Sequence, residues 1–399
     1  MKILHSADWH WEQDKLDKCN ASSDFIIETL RRERPDVHVI AGDYWNRRQT
    51  LNDSSAVIPA LNAIKDMANL CPTVIIKGNE AHDNGGSLEV FKGLGTVYPI
   101  YVADRAETIG LFRKNIIVEF MPAESFDEFP PDLILHLLPF PEKSQFLARV
   151  EETSVDASNM KMVEAIRSIL LGFGAISHGQ KVPSVLVGHL NVLGSRLSTG
   201  QTLVGQDILI DPADLELAGA DVVCLGHIHE TQKFRSNIWY SGSIYHANFG
   251  EVSPRHVLIH TVEKGSCQTK HVVIPSTPLS LHEAHYESAT NSLRDGFEQA
   301  DWYDAELRVR VYVTKEQRNL VTEEWVMAQY PNAKSYKVEF LTVPDERVRS
   351  SQIAHARTLR EKMVEWGKVM GKEFDETVLA KADEAERAFR VEGGVTDGN

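Results

Sequence analysis

Asp8, His10, Asp43, Asn79, His189, His227 and His229 are the residues whose types and spacing could do chemistry. They fall in five short motifs: Asp8-Trp9-His10, Gly42-Asp43, Gly78-Asn79, Gly188-His189 and Gly226-His227-Ile228-His229. The set supplies carboxylate or amide oxygens together with four imidazoles. Mixed nitrogen and oxygen donors suit Mn²⁺, Fe²⁺, Zn²⁺ or Co²⁺, whereas Mg²⁺ and Ca²⁺ favour all-oxygen shells. Seven donors are too many for one tetrahedral ion but right for two ions sharing a bridging carboxylate. Two ions about 3.5–4 Å apart can polarise a phosphoryl group and hold a hydroxide in line with the leaving oxygen. Taken singly, a Gly-His, Gly-Asp or Gly-Asn pair is ordinarily a turn. Their joint occurrence, in order and each after a β run, is what carries the inference.

The elements that must position these motifs are readable from the same stretch. Lys2–Ala7, Val37–Ala41 and Thr73–Lys77 are short β-branched runs, separated by Asp17–Arg34 and Asp53–Leu70, whose apolar residues recur at helical spacing. Strands alternating with helices predict βαβ units and a central sheet covered on both faces. Further strands are expected at Asn115–Glu119, Leu133–Leu137, Ser184–Val187, Asp221–Leu225, Asn237–Tyr240 and His256–Thr261, with a helix at Asn159–Leu171. The fold class expected is α/β, a four-layer α/β/β/α sandwich. In open α/β sheets ligands bind beyond the carboxyl ends of strands, so five motifs at five strand ends can converge. Their glycines permit sharp turns and close backbone approach.

After the Pro275–Pro278 stretch the pattern changes. Glu306–Val313 alternates as a half-exposed strand, Thr314–Tyr330 reads as helical and Tyr336–Leu341 as another strand, which together predict a smaller α+β domain over 276–344. Residues 1–275 form the expected main domain and 345–392 a charged helical segment, with helices over Ser350–Val369 and Phe374–Phe389. The tail 393–399 is expected to be disordered. Met363, Trp366, Val369, Met370, Phe374, Val378, Leu379 and Phe389 are apolar with no evident destination within the chain, which suits docking into a partner's groove.

Composition bounds the function. With 42% apolar and 25% charged residues in 399, the chain has material for a large core and an accessory region. No run approaches the roughly 18 apolar residues of a membrane span, and the first residues lead into a strand rather than a signal peptide. Cys19, Cys71, Cys224 and Cys267 are scattered, as expected of reduced cysteines in a cytoplasmic protein. The net charge of −15 argues against a generally polycationic nucleic-acid binder. It leaves DNA open as a substrate, because bound cations invert the local field.

The motif order resembles that of the calcineurin-like metallophosphoesterases, and the opening Met1-Lys2-Ile3-Leu4-His5-Ser6-Ala7-Asp8-Trp9-His10 resembles the SbcD-type DNA-repair nucleases, which include phage recombination enzymes. The resemblance implies one Mn²⁺ held by Asp8, His10, Asp43 and His229 and a second by Asp43, Asn79, His189 and His227, with Asp43 bridging. It implies 3′→5′ exonuclease and endonuclease activity, a capping domain that positions DNA, a helical segment docked on an SbcC-like coiled-coil ATPase, and a homodimer within a heterotetramer. The expected compartment is the cytoplasm, nucleoid-associated or in a phage-infected host. A phosphoesterase acting on a small phosphodiester or phosphoprotein, or a metal-binding scaffold of weakened activity, are the alternatives.

Two places depart from the pattern. Asn46 stands where the family commonly has Asp, and the family's Gly-Asn-His becomes Gly78-Asn79-Glu80-Ala81-His82-Asp83. The family's histidine after the metal-binding Asn donates a proton to the leaving group. Three readings are open: His82 fills that role on a bulged loop with Asp83 orienting it, Glu80 takes its place and repels the phosphate, or His82 is an ordinary loop residue. Arg47, Arg48, Arg308 and Arg310 are candidate DNA contacts, along with Arg347 and Arg349. His246 could line the cleft.

Overall fold

The computed structural model describes residues 1–47, 54–142, 155–198, 208–251, 253–295, 303–343, 356 and 358–392. The strands, in chain order, begin with β1 (Lys2–Ser6), β2 (Val37–Ile40), β3 (Thr73–Ile76) and β4 (Ile100–Ala103). They continue with β5 (Glu107–Lys114), β6 (Ile117–Pro122), β7 (Leu133–Leu138), β8 (Ser184–His189), β9 (Asn191–Val192) and β10 (Leu209–Ile210). Next come β11 (Val222–Gly226), β12 (Gln232–Phe234), β13 (Ile238–Tyr240), β14 (Arg255–Glu263) and β15 (Ser266–Ile274). The last four are β16 (Leu279–Glu287), β17 (Ser292–Asp295), β18 (Glu306–Val313) and β19 (Ser335–Thr342). The longer helices of the first 200 residues are α1 (Leu16–Glu33), α2 (Ser54–Ala68) and α3 (Val155–Gly179).

Two mixed sheets stack face to face. One has the order β15-β14-β1-β2-β3-β4, the other β12-β13-β11-β8-β7-β5-β6. Strands β1 to β4 are mutually parallel, as are β7, β8, β11 and β13. Alternation along each strand divides its apolar residues between two cores. Ile3, Val37, Val39, Val74 and Ile76 point between the sheets, against Leu133, Leu135, Val185, Val187, Val222 and Cys224. Leu4, Ile40 and Ile75 point outward, onto Ile26 and Leu30 of α1 and Ala60, Ile64 and Met67 of α2. On the far side Leu186, Val223 and Leu225 pack on Met162, Ile166, Leu170 and Phe173 of α3. Each such side chain, fully buried, contributes about 1.5–3 kcal/mol of transfer free energy. The result is the four-layer α/β/β/α sandwich. Helix α1 stops where Arg34 turns left-handed at φ 48°, its N–H closing on Leu30 O at 2.9 Å, and Pro35 follows.

The chain divides into two compact units, one of Met1–His282, Phe297–Val309 and Tyr330–Lys337, the other of Glu283–Gly296, Arg310–Gln329 and Val338–Asn399. A third sheet has the order β17-β16-β18-β19. The continuous helix expected over 314–330 is a 3-10 turn at Gln317–Asn319 followed by a short helix, Glu323–Met327. Thr322 sits extended and caps the second piece by accepting from Trp325 N at 3.2 Å, so it breaks the run. The sequence pattern does not announce strands β4, β5, β9, β10, β12, β15, β16 and β17. The helices Leu359–Met370 and Glu376–Glu392 form a hairpin, with Arg360 bridging Glu376 and Asp383 and Trp366 stacked on Phe374 at 5.8 Å. Part of the apolar series therefore finds a partner within the chain, while Trp366, Met370 and Val378 stay 37–53% exposed. No helix among the described residues is long and apolar enough to cross a membrane. The four cysteines are unpaired. Arg48, Arg347, Arg349 and the tail lie outside the described residues.

Candidate metal centre

All seven predicted donors meet at one end of the two stacked sheets. Asp8, Asp43 and Asn79 follow β1, β2 and β3 of the first sheet, while His189 ends β8 and His227 and His229 follow β11 of the second. Three overlapping groups have ligand atoms within 4.8 Å of one another: Asp8/His10/His229, Asp43/His189/His227 and His10/Asp43/His82. The backbone there is forced. Asp8, His10, Asp43 and His227 adopt φ of 51°, 47°, 51° and 98°, in the left-handed region that non-glycine residues usually avoid. Strain of this kind, at about 1–3 kcal/mol per residue, persists where the surroundings over-determine it. Two glycines are fixed by space rather than by flexibility alone. A Cβ on Gly42 would lie 2.3 Å from His189 Nδ1, and one on Gly78 would lie 2.0 Å from Asp43 Oδ1.

Asp43 sits in the middle. Its Oδ1 accepts from Asn79 N at 2.7 Å, and its Oδ2 lies 3.3 Å from His189 Nε2 and 3.9 Å from His82 Nε2. Burial alone would push its carboxyl up, but the imidazoles of His189, His82 and His10 hold it well below the carboxylate range. His189 moves the other way: burial opposes its charge, yet Asp43 and Asp8 favour it, and the net shift is upward. Its Nδ1–H donates to Ala41 O at 2.7 Å, which aims Nε2 at the centre. Burial raises the Asp8 carboxyl; its Oδ1 accepts from His227 N at 2.8 Å. His10 and His229 bring their Nε2 atoms within 2.9 Å. Burial, then the neighbouring imidazole of His229, lowers the pKa of His10 well below normal.

The donor set fits divalent cations on an observation independent of spacing. Asp8 Oδ2 and Asn79 Oδ1 are buried with no hydrogen-bond partner among the described residues. Buried acceptors left this way cost about 1–3 kcal/mol each. Two lone oxygens beside converging imidazole nitrogens are what a cation would satisfy.

The loop from Gly78 to Asp83 arranges itself differently from the expectation. His82 does reach the cluster, its ring edge-on to His10 at 4.7 Å between centroids. Its Nδ1 is held by the backbone carbonyl of Asn46, not by Asp83. Asp83 is instead fully buried and accepts backbone N–H groups from Tyr44 at 3.2 Å, Trp45 at 3.0 Å and Gly78 at 2.9 Å. Burial, with Asp43 adding to it, raises its carboxyl to about 6. Glu80 pairs with Lys77 and accepts from Gly85 N at 3.2 Å. Asn46 donates to Glu12 Oε2 at 2.6 Å.

Several residues at the site were not singled out from the sequence. Phe140 packs on His189 and His227, with centroids at 6.0 and 5.6 Å. Glu251 and Arg255 lie against His229, and Tyr245 donates to His10 O at 2.7 Å. Burial would raise the Glu251 carboxyl, but His229, Arg255 and Asn248 hold it down at about 2. None of these has ligand spacing, so only the fold reveals them. His246 does not open onto the cluster; it is buried between Ser276 Oγ at 2.8 Å and Ser253 O at 2.9 Å. Arg47 is exposed beside Asn46. Arg308 lies over the Phe249 ring at 4.1 Å, and Arg310 bridges Glu283 at 3.1 Å and Glu339 at 3.2 Å.

The sequence pattern of the calcineurin-like phosphoesterases matches residues 1–231. A relative from Staphylococcus saprophyticus, named as the D subunit of the nuclease SbcCD, is 24% identical over 300 residues, which is 72% of this chain and 73% of that one. A solved dimetal phosphatase from Danio rerio covers 69% of this chain and 98% of its own at 11% identity and a TM-score of 0.41. The family match spans all seven donors, and the chain belongs to the calcineurin-like phosphoesterases, metal-dependent hydrolases of phosphoesters.

Proposed function

We propose that this chain is a DNA nuclease subunit, cleaving phosphodiesters as a 3′→5′ exonuclease and endonuclease in an SbcCD-like repair or recombination complex. The observation that carries this reading is the convergence of the seven donors at one sheet end, in a chain whose relative is named a nuclease subunit over 72% of its length. Asp8, His10, Asp43 and His229 would hold one Mn²⁺, and Asp43, Asn79, His189 and His227 the other. Bound there, the ions supply Lewis acidity toward the phosphoryl oxygens and the attacking water.

The chain's own residues do the rest. Asp43 would belong to both halves of the site, since its carboxylate groups with His189 and His227 on one side and with His10 and His82 on the other. The Asn46 carbonyl accepts from His82 Nδ1–H and turns Nε2 toward the cluster; in its imidazolium form His82 would deliver the Nε2 proton to the leaving oxygen and return to the Nδ1–H tautomer. Phe140 covers two of the imidazoles and limits water around them. Arg47 and Arg308 would take backbone phosphates; Arg310 is bridged to Glu283 and Glu339. In this reading residues 1–275 are the nuclease domain, 276–344 position DNA, and 345–392 dock on a coiled-coil ATPase. The working unit is a homodimer within a heterotetramer, in the cytoplasm.

The test is incubation of the purified chain with Mn²⁺ and labelled duplex and single-stranded DNA, beside Asp8→Ala and His189→Ala. Cleavage by the parent and not by the variants is expected. Hydrolysis of a small phosphodiester with no cleavage of DNA, with or without an ATPase partner, would overturn the nuclease reading.

A further inference from the structure

We infer that Glu251 is a positioning residue for the metal centre, setting the tautomer and aim of His229 and tying the 193–198 loop to that imidazole. The inference rests on the metal-site reading above and extends it to a residue outside the seven donors. His229 presents Nε2 to the centre, 2.9 Å from His10 Nε2. Its other nitrogen, Nδ1, lies 3.5 Å from Glu251 Oε1. A carboxylate behind a histidine keeps the proton on the rear nitrogen and frees the front lone pair for a cation.

The carboxylate is itself pinned. Its side chain has 0% exposure and takes hydrogen bonds from Ser198 Oγ at 3.0 Å, Asn248 Nδ2 at 3.0 Å and Ala247 N at 2.8 Å. Arg255, 1% exposed, stands 3.4 Å from Glu251 Oε2 and also donates to the backbone carbonyl of His229 at 2.6 Å. The pair therefore grips His229 at its ring and at its peptide. A buried ion pair seldom adds net stability over an apolar core, so an ion pair meeting a candidate ligand at both ends calls for another role. The loop connection is equally direct. Ser198 reaches Glu251, and Gln232 brackets the Arg196 peptide, accepting from its N–H at 3.0 Å and donating to its carbonyl at 2.9 Å. Glu251, Arg196 and Ser198 then line one pocket of about 240 Å³ together with Glu230.

The experiment is an Mn²⁺ titration of Glu251→Gln, followed by EPR of the free and bound ion. The expected result is roughly a 10–100-fold weaker affinity for one of two ions and loss of the spin-coupled dinuclear signal, while the other ion binds as in the parent. Raising Mn²⁺ should then restore much of the turnover. Because Gln leaves Arg255 buried without a counter-charge, the double variant Glu251→Gln/Arg255→Met is measured alongside; it removes both charges and keeps the core neutral. A folded double variant with parental affinity for both ions would overturn the inference and leave the metal site standing. A parent chain that binds no Mn²⁺ would overturn both.

Discussion

Replacing Asp83 should loosen the candidate site from behind without touching any of the seven donors. Its carboxylate receives three backbone N–H groups, from Tyr44 and Trp45 just after Asp43 and from Gly78 just before Asn79. It therefore staples the loop after β2 to the loop after β3. In Asp83→Ala all three buried donors lose their acceptor, at about 1–3 kcal/mol each, so a loss of about 3–9 kcal/mol is expected. In Asp83→Asn the amide oxygen can stay where Oδ2 serves Tyr44 and Gly78. Only Trp45 N–H then faces an NH₂ group, and the loss should be about 1–3 kcal/mol. Urea unfolding followed by tryptophan fluorescence reads both values, since Trp9, Trp11 and Trp45 are buried close by. The ordering matters more than the size. Equal losses for Ala and Asn, or an Ala loss below about 1 kcal/mol, would refute the stapling argument. A loss of stability with unchanged Mn²⁺ affinity would show that the staple holds the fold but not the geometry of Asp43 and Asn79.

Three further outcomes are expected. His82→Ala should lower kcat by about 10²–10⁴-fold with Mn²⁺ binding retained, and unchanged single-turnover rates would remove His82 from proton transfer. Gly78→Ala should displace Asp43, since the new methyl would sit 2.0 Å from its Oδ1; calorimetry and Mn²⁺ titration should both show a loss, and a neutral result would mean the loop gives way freely. Acid should destabilise the fold through His5, His38 and His136, which burial holds down at about 3. Unfolded histidines bind protons below about 6.5 and these do not until about 3, so the neutral forms stabilise the fold above pH 6.5. That stability is lost as pH falls, by about 2 kcal/mol for each histidine between pH 7 and 5. A Tm flat over that range would contradict the assignment.

Much of this protein is legible in the sequence for a simple reason. The donors sit directly after β-branched runs, and strand ends are where an α/β fold gathers ligands, so local pattern and global geometry agree. The alternation of Ile3 and Leu4, and of Val39 and Ile40, announces strands buried on both faces, and the four layers follow. Strand β18 is read from its alternation residue for residue. Where the reading slips, the cause is a single side-chain contact that pattern does not encode, as with Thr322 capping a helix where periodicity alone runs straight through.

What the sequence could not decide is which atom answers which across chain separations of tens to hundreds of residues. Gly78 to Asp83 has an acid next to a histidine, and adjacency suggests that one orients the other. In the fold Asp83 turns inward to backbone donors of two loops while the Asn46 carbonyl, 36 positions upstream, holds the His82 ring. Glu251 and Arg255 carry no ligand spacing in the sequence, yet the fold buries them together behind His229, at its ring and at its peptide. The candidate seven-residue site is thus written in local pattern, because strand ends fix its members one at a time. Its tuning belongs to tertiary structure, because orientation and charge balance depend on partners that only folding makes neighbours.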